Sequence, residues 1–227
     1  MRGLVAPDDA ADSVAGSDPR HLVVGWPGTE EPFGLSVLPA AVRRLGVSAV
    51  CVAVPAPGDP VGLAGPPAFN AGALDAGEAL VLAGDARGLG LVPRVDARTV
   101  LWEAAPAEPP PTLDPGEAGR TLRQTLVHTT ADLVRLDVAS WQPEIPDLLL
   151  NLRHREPLDL PAGTPPETVE VLERAVLCRD IVALALADDG GAVSAYEMEQ
   201  RRGCLTDLDR AARRAIAACC SDSLLST

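Results

Sequence analysis

Gln124, His128 and Asp132 recur every four residues, a spacing that puts three polar side chains on one face of a helix. A His beside a carboxylate can act as a base of tuned pKa, so proton transfer is the first chemistry to consider here. Arg120 and Arg135 fall near the same face, and Arg123 a turn away. The pattern equally describes a solvated helix face tied by intrahelical pairs, which is the preferred reading.

A second candidate is the Pro/Gly-rich stretch 55–78, PAPGDPVGLAGPPAFNAGALDAGE. Irregular segments of this length are uncommon in compact domains and often form binding loops. It leaves the C-terminal end of an apolar strand, where open α/β sheets place ligands. Asp59, Asn70, Asp75 and Glu78 offer acceptors, Phe69 an aromatic surface, and Arg94 an anion anchor from a later strand. Arg98 and Glu103 could approach from the same side. These six residues, Asp59, Phe69, Asn70, Asp75, Glu78 and Arg94, are the candidate ligand-binding set. The opposing reading is a rigid surface loop with Phe69 plugging the core.

Other chemistries fail on residue type. All 19 basic residues are Arg, which removes Schiff-base, P-loop and kinase-type lysines together. The Gly88-Leu-Gly90 run lacks the third glycine of a dinucleotide loop, and Pro27 denies Gly25-Trp-Pro-Gly28 a backbone N–H that a phosphate would need. No G-x-S-x-G occurs, and Cys51 lies in the apolar run VSAVCVAV, where thiols fill cores. Cys219 and Cys220 could sense oxidation, but one of them fits the apolar face of a helix. His21, His128 and His154 are far apart, and the five Cys lack zinc spacing, so no metal and no cofactor is expected. No catalytic residue is assigned.

A net charge of −13, spread over both halves, repels nucleic acid and anionic membranes. Arg201, Arg202, Arg210, Arg213 and Arg214 outnumber the nearby acids by two, a small footprint for DNA. An odd number of cysteines in a chain this large suggests reduced thiols, and the N-terminal residues lack a signal-peptide apolar core, so the cytoplasm is the expected compartment. Abundant Ala, Gly, Pro, Arg and Asp without Lys matches a very GC-rich genome such as an actinobacterial one.

The elements that would position these residues follow from punctuation and period. Of 22 prolines, 16 lie at or before Pro115, so a turn-rich half precedes a helix-permissive one. Residues 1–19 are small and acidic and are expected as a disordered or loosely attached tail. Strands are predicted at 21–26, 47–54, 79–83, 88–95 and 98–104, and a helix at 37–45 that stops at Gly46. The run 47–54 is continuously apolar, as in a strand buried on both faces. Residues 106–113 form a stiff Pro-rich connector.

Beyond it, Leu122, Leu126, Thr129, Leu133 and Leu136 mark one face of a helix over 115–138, with Asp114 and Pro115 at its start. A shorter helix is predicted near Pro146. Thr164 and Glu167 suggest a capping box for a helix running to about residue 187, whose end, 181–187, is apolar on all sides. A last helix is predicted over 194–219.

Strands first and helices second argue for an α+β fold: a small mixed or antiparallel sheet with one early helix, and a helical part packed on it. The runner-up is α/β with a parallel core, kept by the early β–α–β of 21–54. Residues 20–220 are treated as one domain of two parts, 20–105 and 114–220. The apolar stretch 181–187 and the apolar face of the last helix point to a homodimer, with another protein as a further possible partner. The function read from these features is a non-enzymatic interaction or structural protein. The alternative is a small-molecule binder or an enzyme of unrecognised type, with its site near 55–78.

Overall fold

The computed structural model describes residues 6–16, 20–84, 88–96, 98–135, 157–158, 160–161, 163–187 and 195–223. The fold is α+β. The chain forms two compact units: Met1–Thr112 with Cys220–Thr227, and Leu113–Cys219. The boundary falls inside the Pro-rich segment 106–113, where Pro denies the backbone a continuing ladder. The part of this segment that carries Pro106 and Ala107 belongs to a strand.

The first unit is built on a seven-stranded sheet. Its strands are β1 (His21–Val24), β2 (Phe33–Gly34), β3 (Val47–Ala53), β4 (Ala79–Gly84), β5 (Gly88–Asp96), β6 (Thr99–Ala107) and β7 (Asp222–Ser223), in the spatial order β2-β1-β6-β5-β4-β3-β7. Only β1 and β6 run parallel; every other neighbour is antiparallel. The runner-up parallel core is therefore not formed, because β1 and β3 lie four places apart and the early β–α–β does not close on itself. Pro93 and Pro106 are tolerated inside β5 and β6 because each lies beyond the stretch paired to the second neighbour.

The segment 1–19, expected as a tail, contains helix α1 (Pro7–Ala15), which lies against a short 3-10 turn at Leu35–Val37. Helix α2 (Leu38–Arg44) buries Ala41 and Val42 on one face of the sheet, with Val23, Trp26, Leu82, Leu89 and Leu91. Helix α3 (Pro67–Ala76) covers the other face through Phe69 and Ala73, against Ala53, Val81 and Val92. Alternation along β4 and β5 supplies both clusters, as a period of two requires.

β3 departs from the expectation of burial on both faces. Val47 to Val52 are only half-buried; among the described residues, the two of β7 are what pairs with the outer edge of β3. There Ser221 Oγ accepts the Val52 N–H at 3.0 Å.

Among the described residues the second unit holds three long helices: α4 (Pro115–Arg135), α5 (Pro166–Leu186) and α6 (Ala195–Cys220). The Glu117 N–H donates to Asp114 Oδ1 at 2.6 Å, the predicted cap of α4. The capping box expected at Thr164 is absent: its hydroxyl donates to the Pro161 carbonyl, Pro165 occupies the cap position, and α5 starts at Pro166 without a side-chain cap. Leu122, Val171, Ala175, Cys178, Val182, Leu205, Leu208, Ala212 and Ala215 form the shared core. Small residues keep the helices close; a methyl group on Gly119 would lie 2.7 Å from Val171 Cγ2. The helix predicted near Pro146 lies outside the described residues, as does the far end of the predicted 115–138 helix.

Candidate functional site

The polar face read from sequence on α4 borders a cleft in the helical unit. Leu122, Leu126, Thr129 and Leu133 turn into the bundle. The residues on the flank of that stripe, Thr121, Thr125, His128 and Asp132, therefore face sideways. On α6 the buried stripe of Leu205, Leu208, Ala212 and Ala215 leaves Cys204, Asp207, Ala211 and Arg214 on its own flank. The two flanks, with Thr129 and Arg210, enclose a cleft of about 390 Å³.

Polar contacts join its walls. Thr129 Oγ1 donates to the Cys204 carbonyl at 3.3 Å, and Cys204 Sγ lies 3.7 Å from Asp132 Oδ2. Both fix the C-terminal half of α4 beside the N-terminal half of α6. Thr121 and Arg214 line the same cleft, so the helices run antiparallel along it. Asp132 also accepts Arg135 at 2.9 Å, and Arg210 donates to Asp207 at 2.9 Å. Burial first, then the Asp132 charge and the S–H bond to it, then Asp207, push the Cys204 thiol up. The thiol is held protonated and is a poor nucleophile. Burial raises Cys51 likewise. Burial also raises Cys178, against a lowering by Arg174.

His128 and Asp132 therefore share a cleft, while Gln124 does not line it. Sequence periodicity located one wall. What it did not supply was that Cys204, Asp207, Arg210 and Arg214 form the other, although the flank of the apolar stripe on α6 carried that signal. Among the described residues no three His, Cys, Asp or Glu side chains converge as a metal site.

The six residues of the 55–78 candidate set are distributed differently. None of them lines the cleft. The stretch is not irregular throughout, since 67–76 is α3, with Pro67 at its start and Gly77 in a left-handed conformation after its end. Proline and glycine density hid a ten-residue helix. Phe69 is 3% exposed and belongs to the sheet core. Its ring occupies the space that a side chain at Gly90 would need. Asn70 follows it on α3; its Oδ1 is buried and has no hydrogen-bond partner among the described residues. Asp59 is buried in a tight turn whose backbone pairs with Ala56 in both directions, at 3.0 and 2.8 Å. Asp75 and Glu78 are exposed on either side of Gly77. Arg94 is exposed and pairs with Glu103 at 2.7 Å. It stands four residues along β5 from Gly90, where Phe69 packs, which is about 13 Å of strand.

Family models match both units: residues 1–115 match the N-terminal domain of the Rv1486c-like protein, and 116–217 its C-terminal domain. The chain belongs to the Rv1486c-like family. The division between the two family domains falls within a few residues of the boundary between the compact units. Among curated proteins and solved structures nothing matches. Among the described residues no helix is long and apolar enough to cross a membrane.

Proposed function

We propose that this Rv1486c-like protein is a non-enzymatic interaction protein that self-associates through the apolar end of its helical unit. The observation that carries the reading is the end of α5. Residues 181–187 are IVALALA, yet only Val182 and Ala185 are buried in the bundle. Ala183 and Ala187 are exposed, and Leu186 is 42% exposed. A helix that is apolar on every side demands cover on every side, and its own unit supplies one.

The first turn of α6 adds Tyr196, 70% exposed, and Met198, 40% exposed. Tyr and Met are residue types enriched where proteins meet. A two-fold pairing of the same patch is the simplest closed arrangement. The buried thiol of Cys178 suits the reducing cytoplasm.

The test is light scattering coupled to gel filtration on the full chain, with Leu186→Glu and Tyr196→Glu beside the native protein. Each substitution lies at an exposed position, so helix content by circular dichroism stays unchanged. The expected outcome is a dimer that both variants convert to monomer. Variants that remain dimeric would show that the contact lies elsewhere.

A further inference from the structure

We propose that the outer edge of β3 is a docking site for an extended segment of a partner protein, and that β7 is the chain's own occupant of that site. β3 is the kind of edge that proteins cover. From Val47 to Val54 the sequence carries no charge and no proline, the residues that otherwise keep foreign strands off a sheet edge. Its cover comes from far along the chain. Ser221 alone separates α6 from β7, whose Asp222 and Ser223 pair antiparallel with Val50 and Ala49. The family matches end at residue 217, so this cover lies outside both matched domains.

The seated strand shows what the edge recognises. The Val52 N–H turns outward and donates to Ser221 Oγ at 3.0 Å. In an antiparallel ladder alternate residues face the same neighbour, so Val50 presents its own N–H and C=O to the same side. A strand in this place therefore supplies main-chain hydrogen bonds at Val50 and a side-chain hydroxyl at Val52. The matching ligand is an extended segment with Ser or Thr at the place of Ser221 and no proline at the two positions after it. Strand addition of this kind takes its affinity from main-chain bonds and its selectivity from such side-chain positions.

The built-in occupant is lightly held. Two paired residues and one side-chain bond are few contacts, and elements with few contacts open locally at little cost. What remains is well anchored: β3 stays paired to β4 from Val47 to Ala53, and α6 keeps Leu205, Leu208, Ala212 and Ala215 in the helical core. The reading is independent of self-association through the end of α5, since the described pairing on this edge involves β7 and Ser221.

The experiment is a fluorescence-polarisation titration of the full chain against acetylated Ser-Asp-Ser-Leu-Leu-Ser-Thr, the sequence of residues 221–227, labelled through a C-terminal linker. In the native chain β7 competes with the peptide, and a site open about a tenth of the time or less binds about tenfold or more weakly than an open one. Asp222→Pro removes an N–H from the β7 ladder, so this variant binds the peptide about tenfold or more tightly than the native chain, with shifts at the Val50 and Val52 amides in ¹⁵N spectra. Ser221→Ala, the milder change, binds with intermediate affinity and carries the comparison if the proline variant does not fold. Alanine in place of the peptide's first serine weakens its binding about threefold or more. Equal affinity for the native chain and the variants, or no binding at millimolar peptide, would overturn the proposal. So would a variant that takes no peptide and instead gains mass by pairing its opened edge with a second copy.

Discussion

Replacing Gly90 with Ala tests the packing that seats Phe69 in the core of the sheet. Gly90 lies in the middle of β5, paired to Val81 on one side and Ala105 on the other, so its backbone cannot retreat. A methyl group there would lie 2.5 Å from Phe69 Cζ and 2.6 Å from Cδ2, and closer still to Cε2. Carbon atoms rest about 3.5–4.0 Å apart, so the ring would have to move by more than an ångström. It has nowhere to go: Ala53, Ala73 and Val81 around it are completely buried and Val92 nearly so.

If the ring stays and the core strains, overpacking costs about 1–3 kcal/mol. If the ring is expelled, the loss approaches the roughly 3–5 kcal/mol of deleting a buried Phe. The gain from a stiffer unfolded chain, about 0.4–1 kcal/mol, offsets only part of either. The expected net destabilisation is therefore about 1–4 kcal/mol. Urea unfolding followed by tryptophan fluorescence measures it, since Trp26 and Trp102 pack in the same sheet. In a Phe69→Ala background the cost of Gly90→Ala should vanish, because its opponent is gone. A Gly90→Ala protein as stable as the native one, or an equal cost in both backgrounds, would refute the reasoning.

Three further outcomes follow from other contacts. Asp209 accepts a hydrogen bond from the nearly buried Arg213 (4% exposed) at 2.7 Å and forms a looser ion pair with Arg179 at 3.7 Å; Asp209→Ala should cost about 2–4 kcal/mol in urea unfolding, and no change would mean the pair is idle. Ser221→Ala removes the acceptor of the Val52 N–H, so hydrogen exchange at Val52 should accelerate about fivefold while amides in α4 stay protected. The thiols of Cys51, Cys178 and Cys204 are all raised by burial, so the folded state holds their protons more tightly than the unfolded one. That contribution to stability is complete below the usual thiol value of 9.0 and is lost as pH rises through the higher folded values. The thermal midpoint should fall above that pH by less in Cys204→Ala than in the native chain, and an identical fall would contradict it.

How much of this was legible in the sequence depends on what carried each signal. The strands at β4, β5 and β6 and the helices α4 and α5 were marked by period and by Pro and Gly at their ends, which are local properties. α3 was missed although Pro67 and Gly77 bracket it, because its apolar residues, set among so many prolines and glycines, show little periodicity. The half-exposure of β3 was illegible, since a continuous apolar run cannot reveal whether its outer neighbour is a full strand or the two residues of β7. The cleft was half legible. His128 and Asp132 share a helix face by arithmetic alone, but their meeting with Cys204 and Arg214 depends on how two helices dock. Docking is set by the sum of many small contacts such as Thr129 on the Cys204 carbonyl, which no spacing rule encodes. For Phe69, sequence offered both a ligand surface and a core plug, and the void above Gly90 makes it the plug.

The central claim is that the apolar end of α5 is covered by a second copy of the chain. Sedimentation velocity of the native full chain, from low to high micromolar concentration, tests it most directly. The account predicts a species of twice the 23.5 kDa chain mass that dissociates on dilution or on Leu186→Glu. A single 23.5 kDa species at every concentration would contradict it.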